Sequence, residues 1–243
     1  MPIHTDIPFD QYAASKAVNW STLKHLWANS PLHYKWVVDH GQEEDTQGRA
    51  MGREVHRLVL EPDSKPDYVV WEGGDRRGKA WKDFEAAHPG KVIFKPNEVA
   101  HCYNQAQAVI NHPAARALLE GARFEVSIFW KDRLTGLDCK GRLDAVKPGV
   151  LIDLKGCTSV NERLFARTAA EMGYHLQLAH YASGMQALGR PPTKICIVAV
   201  ETKPPYDVAV YEIGKEPLEV VQAERSEEHT SELQSRFGIS YAV

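Results

Sequence analysis

Apolar positions along the chain change period several times, and each change marks an element. Over residues 19–40 (NWSTLKHLWANSPLHYKWVVDH), Leu23, Leu26 and Trp27 recur at helical spacing behind Asn19 and Ser21, both residue types that cap helices. Ser30-Pro31 predicts a second helical start, because proline is tolerated in a first turn. Residues 47–60 (QGRAMGREVHRLVL) predict another helix, with Met51, Val55, Leu58 and Val59 as its apolar stripe and Glu61-Pro62 as its stop. Residues 67–71 read as a strand, followed by a charged run and a helical patch. A long helix is expected over 97–120, broken or kinked at Pro113. Strand-like segments then follow at 123–131, 137–146 and 150–155, helices at 162–172 and 174–188, and strands at 194–201 (KICIVAVE) and 207–211. Helices, a β-meander, helices and strands in that order predict an α/β (α+β-like) fold with a central mixed β-sheet flanked by helices. A single domain over residues 1–224 is expected, helical to about residue 120, with the core at about 121–212.

The chemistry concentrates in one hairpin, KGRLDAVKPGVLIDLKG. Pro148-Gly149 is a strong turn signal, since proline presets one φ and glycine permits the other. With these as central turn residues, Asp144 falls opposite Asp153 and Arg142 opposite Lys155. Alternation puts Lys140, Arg142 and Asp144 on one face and Leu151, Asp153 and Lys155 on the matching face of the next strand. The other faces carry Gly141, Leu143, Ala145 and Val150, Ile152, Leu154, which suit a core. Directly opposed Cβ atoms lie about 4.5–5.5 Å apart, so two facing carboxylates need something to offset them. A divalent cation does this, and a site with few protein oxygens suits magnesium, which keeps several waters. On these residues alone, an exposed face whose charges pair with one another fits equally well. The apolar VLIDL flank favours burial, where a carboxylate needs a strong partner.

Composition changes little. The chain has a net charge of −3, so DNA contact would have to come from local basic patches. Four cysteines (Cys102, Cys139, Cys157, Cys196) form no Cys-x-x-Cys pair, which predicts reduced, partly buried thiols rather than a zinc or iron–sulfur site. With no apolar run near 20 residues and no signal-like N-terminus, no membrane partner and a cytoplasmic location (bacterial or phage-infected host) are expected. Residues 225–243 (RSEEHTSELQSRFGISYAV) match the translation of two blocks of a sequencing-library adapter in frame. They are expected to be a disordered artefact, with the true C-terminus beyond about residue 224 missing. Omitting them leaves 27 basic and 29 acidic residues, a net charge of −2.

Asp144 followed by Asp153-Leu154-Lys155 resembles the PD-(D/E)XK nuclease pattern. Further segments sharpen the likeness: Gly52-x-x-x-His56, Glu125 in the preceding strand, Gln177-x-x-x-Tyr181, and the stretches RRGKAWKDF, HPAARALL, SIFW and GYHLQLAHY. Together they resemble the phage exodeoxyribonuclease VIII (RecE-type) group over residues 20–211, with Gly156-Cys157 departing from the expected threonine-rich continuation. Taken singly, His56 could be a core histidine, Tyr181 a core tyrosine and Glu125 a solvated strand residue.

That resemblance implies a restriction-endonuclease-like core and a magnesium site, manganese substituting, held by Asp144, Asp153, the Leu154 carbonyl, His56 and Glu125. Lys155 would orient or deprotonate the attacking water or stabilise developing charge; acting as a base would need a depressed pKa. Gln177 and Tyr181 would hold the DNA backbone or the geometry of the site. Arg76, Arg77, Lys79, Lys82, Lys140 and Arg142 are candidate phosphate contacts, although the first four could equally be a solvated charge run. The implied activity is 5′→3′ digestion of linear duplex DNA, leaving 3′ single strands for a phage annealing recombinase, with a homo-oligomeric ring as a further expectation. Alternatives are a RecB- or Cas4-like nuclease of other polarity, or a non-catalytic DNA-end-binding or scaffold protein.

Overall fold

Side-chain caps set where the helices begin. The computed structural model describes residues 7–41 and 46–214; the stretch expected to be translated adapter lies outside them. After a short helix α1 (Phe9–Ala14), α2 (Trp20–Ala28) starts where the Asn19 side chain accepts from the Thr22 N–H, and α3 (Pro31–His40) where Ser30 accepts from His33 behind Pro31. Thr46 caps α4 (Gln47–Leu60) in the same way, through the Arg49 N–H. A parallel pair, β1 (Tyr68–Val70) and β2 (Val92–Phe94), brackets α5 (Gly78–Ala87). The stretch 97–120 is divided at the expected place: α6 (Pro96–Asn111) ends before His112, and α7 (Pro113–Leu119) begins with proline in its first turn.

The central sheet is mixed. Its strands, β3 (Arg123–Lys131), β4 (Asp138–Lys147), β5 (Val150–Cys157), β6 (Lys194–Glu201) and β7 (Val208–Glu212), lie in chain order. β5 and β6 are parallel and every other neighbouring pair is antiparallel. Between β5 and β6 run α8 (Glu162–Glu171) and α9 (Tyr174–Ala187), which cover one face. Helices α4, α6 and α7 cover the other. Covering on both faces accounts for the unbroken apolar run of β6, where Ile195 to Val200 are all buried. Gly141 lets α9 lie close to the sheet, since a Cβ there would sit 2.9 Å from the Tyr181 ring.

The expected alternation in β4 fails at one place. Leu143 packs in the core beneath α9, whereas Ala145 packs in the core beneath α4 and α6. In β3 the same change separates Val126 from Phe124. Between them lie Asp144 and Glu125, opposite one another in a register that is otherwise continuous (Phe124↔Ala145, Val126↔Leu143). Glu125 has a φ of 49°, a left-handed conformation sparsely used by non-glycine residues. Both strands therefore change facing at one rung, and that rung carries two carboxylates.

Candidate active site

The Pro148-Gly149 turn is formed, with Gly149 at φ 74°, and the register it sets is the expected one: Ala145↔Ile152, Val146↔Leu151, Lys147↔Val150. The ladder then stops. Where the next rung would be, the Asp144 carboxylate accepts the Leu154 N–H at 2.8 Å. A side chain thus takes the hydrogen bond that the departing β4 backbone no longer supplies. Arg142 and Lys155 are consequently not partners across the hairpin. Arg142 pairs with Glu125 (Nε to Oε2, 2.6 Å), while Lys155 pairs with Asp153 (Nζ to Oδ2, 2.7 Å).

Two clusters meet at Asp144. His56, on α4, brings Nδ1 to 3.7 Å from Asp144 Oδ2. His56, Glu125 and Asp144 each offer a ligand atom, all within 4.8 Å of one another. That grouping fits a hard divalent cation, with two carboxylates and one imidazole in place of the oxygen and nitrogen atoms such ions take. The second cluster is Asp153, Lys155, Gln177 and Tyr181. Asp153 is only 1% exposed, and among the described residues its buried Oδ2 is met by the Lys155 ammonium alone, at 2.7 Å. A carboxylate oxygen carries two lone pairs, so one met by a single ammonium beside the trio can still accept a cation or a water. Gln177 donates to the Tyr181 hydroxyl at 3.1 Å and reaches Asp153 Oδ1 at 3.5 Å.

Titration follows burial and crowding of like charge. Burial first, and then Asp153, push the Asp144 carboxyl up to about 7, against the opposing pull of Lys155 and the Leu154 N–H. Glu125 is raised by burial and by Asp144, with Arg142 opposing. His56 is lowered, chiefly by burial and then by Lys155, which keeps the imidazole in the neutral, metal-ligating form. Burial would lower Lys155, but Asp153 and Asp144 outweigh it and the net shift is upward. With these two carboxylates as neighbours and no cation between them, Lys155 is an ammonium rather than the base a depressed pKa would make it. Tyr181 is raised well above its ordinary value by burial and by the two aspartates, so it stays a neutral hydroxyl.

Other expected residues divide. The Leu154 main chain hydrogen-bonds the His56 ring. Lys140 is not placed to meet a phosphate: it is 3% exposed, and its ammonium lies against the carbonyls of Tyr12, Ala13 and Ser15 at 2.7, 3.3 and 2.7 Å. Its ammonium is covered by the end of α1 rather than by solvent, which periodicity could not show. Arg142 is likewise turned to Glu125, Ser127 and the Ile7 carbonyl. Arg76 is held by Glu98 at 2.6 Å and by the Ile93 carbonyl. Arg77, paired with Asp75, is exposed, as are Lys79 and Lys82. One residue was missed: Tyr174, whose ring lies 5.1 Å from the Lys155 ammonium. Its signal was present, since Tyr174, Gln177 and Tyr181 recur at helical spacing on one side of α9. All four cysteines are buried free thiols, as expected. Among the described residues no helix is long and apolar enough to cross a membrane.

A family model described as "PDDEXK-like domain of unknown function (DUF3799)" matches residues 20–235. The chain belongs to that family. The resemblance read from Asp144, Asp153-Leu154-Lys155 and their company is thereby met at the level of the PD-(D/E)XK superfamily. The last eleven matched residues, 225–235, fall in the stretch expected to be translated adapter. No curated protein matches the sequence. The crystal structure of a candidate exonuclease from Eubacterium rectale superposes on this PDDEXK-like chain with a TM-score of 0.67 at 15% identity, covering 98% of this chain and 88% of that one. At that identity it shows the fold alone. A phage-related exonuclease from Haemophilus somnus 129PT also aligns, at a TM-score of 0.33 and 14% identity over 88% of this chain and 92% of that one, too low a score to carry an argument.

Proposed function

We propose that this PDDEXK-like protein is a magnesium-dependent exodeoxyribonuclease, active 5′→3′ on linear duplex DNA and leaving 3′ single strands. The observation that carries the reading is the convergence on Asp144 of a metal-type trio, His56, Glu125 and Asp144, with the buried Asp153–Lys155 ion pair. A divalent cation held there would polarise the scissile phosphate and acidify a bound water. The residues do the rest. Asp153, buried and held on one side by Lys155, keeps a lone pair for the cation or for the attacking water. Lys155, kept charged by Asp153 and Asp144, donates to that water or to the phosphate oxygens as negative charge grows on them. Tyr174 backs the ammonium, while Gln177 and Tyr181 hold the Asp153 side of the site in place. With Lys140 and Arg142 turned inward, the exposed Arg77, Lys79 and Lys82 are the remaining candidate phosphate contacts from the original set. The same reading extends to an annealing recombinase that takes the product strand and to a ring-shaped homo-oligomer, checked by pull-down and by native mass spectrometry.

The direct test is a linear duplex labelled at either the 5′ or the 3′ end, incubated with magnesium or manganese, with Lys155→Ala as control. Progressive loss of the 5′-terminal nucleotides, abolished in the variant, is expected. Binding of DNA ends without cleavage by the wild type would favour a scaffold; release of the 3′ label first would reverse the polarity; unchanged activity in Lys155→Ala would sink the role given to the lysine.

A further inference from the structure

Of the three ligand candidates, Glu125 is the least anchored by its own element. His56 sits within a regular helix, and Asp144 is fixed by the Leu154 N–H. Glu125 instead occupies a strained backbone position, φ 49°, which persists only when its surroundings over-determine it. The group that does so is Arg142, donating from Nε to Glu125 Oε2 at 2.6 Å. Arg142 is itself immobilised: Nη1 reaches Ser127 Oγ and the Ile7 carbonyl, each at 3.2 Å, and the guanidinium lies 5.7 Å from the Phe9 ring. Ser127 is 1% exposed, so it is a fixed anchor.

The N-terminal segment that supplies Ile7 and Phe9 is in turn clamped to β4. Lys140 gathers three carbonyls at the end of α1, and Val18 exchanges main-chain hydrogen bonds with Asp138 and Lys140 at 2.8 and 2.7 Å. Residues 7–18 thus lie along β4, with Arg142 as the joint between them and the trio.

We infer that Arg142, braced by the N-terminal segment, is a positioning residue that holds Glu125 as a ligand for the divalent cation. A carboxylate has two oxygens, so the bond from Arg142 to one leaves the other for a cation. The inference rests on the metal-dependent reading above, and its sign is diagnostic. An arginine merely near the site would repel a cation, and removing it would tighten metal binding. An arginine that orients a ligand does the opposite, since loss of such a support commonly costs about 10–100-fold in metal affinity.

The experiment is calorimetric titration of manganese into the full chain after chelator treatment, with Arg142→Gln, Arg142→Lys, Glu125→Gln and the Glu125→Gln/Arg142→Gln double variant, each checked by circular dichroism. Arg142→Gln is expected to weaken manganese binding about 10–100-fold. Arg142→Lys should recover part of the loss, and the double variant should bind no worse than Glu125→Gln alone. Equal or tighter binding by Arg142→Gln, or a full additional loss in the double variant, overturns the inference. Should Arg142→Gln fail to fold, Phe9→Ala, which removes only the brace, carries the test: a several-fold loss supports the inference and unchanged affinity overturns it. Failure of the wild type to bind manganese overturns both this inference and the metal-dependent reading, whereas DNA cleavage with an unaffected Arg142→Gln affinity overturns this one alone.

Discussion

Asp144 is predicted to make the protein less stable as pH rises when no divalent cation is present. Its carboxyl is moved from an ordinary 3.8 up to about 7, first by burial and then by Asp153. Between those values the native chain holds a proton that the unfolded chain has lost, so stability falls with pH, by about 1.4 kcal/mol per pH unit. Below about 4 the stability is fully present; above about 7 the loss is complete and amounts to roughly 4 kcal/mol. The side chain is only 14% exposed, so solvent screening removes little of this. Asp144→Asn keeps an oxygen to accept the Leu154 N–H and abolishes the titration. Thermal unfolding in chelator at pH 5 and pH 8 reads the effect: the lowered His56 is common to both proteins, and the part of the Glu125 shift that Asp144 causes disappears with it and adds in the same direction. Between pH 5 and pH 8 roughly 2.5 kcal/mol of that loss falls, so the difference in Tm between variant and wild type should grow in favour of the variant by about 5–10 °C at 2–4 °C per kcal/mol. At pH 8, magnesium should restore the wild type and do little for Asp144→Asn. A difference that is the same at both pH values, or a variant less stable at pH 8, refutes the reasoning.

Two further perturbations separate structure from chemistry. Lys155→Ala leaves a buried, charged Asp153 without its counter-ion and should cost about 3–5 kcal/mol in urea denaturation. Lys155→Ala/Asp153→Asn should recover most of that stability and none of the DNA cleavage; recovery of cleavage would show that the pair serves only the fold. Lys140→Met strips the ammonium from three carbonyls and should destabilise the chain by about 1–3 kcal/mol. The slope of DNA affinity against salt concentration should stay unchanged in Lys140→Met, whereas a phosphate-binding lysine would lower it by about 1.

Much of the architecture was legible in the sequence because it rests on local chemistry. Capping residues and prolines marked the helix starts, Pro148-Gly149 set the hairpin register, and the apolar run 195–200 marked a strand covered on both faces. The short α1 and β2 escaped, since neither is long enough to show a period. The hairpin alone left Asp144, Asp153 and Lys155 as readily an exposed charge-paired face; their resemblance, in company with His56, Gln177 and Tyr181, to the PD-(D/E)XK pattern is what singled them out. What periodicity could not give was the partner of each charge.

Strict alternation put Lys140, Arg142 and Asp144 on one chemical face. In the fold, Lys140 closes the end of α1, Arg142 turns to Glu125, and only Asp144 joins the site. That sorting depends on one rung where β3 and β4 both change facing, at Glu125 and Asp144, and nothing in the local sequence of either strand announces it. By itself the sequence determined which groups had to be compensated. Only the tertiary structure decided by what: α1 lies over one end of β4 and α4 brings His56 to the other, and a buried charge takes whichever partner packing places within reach.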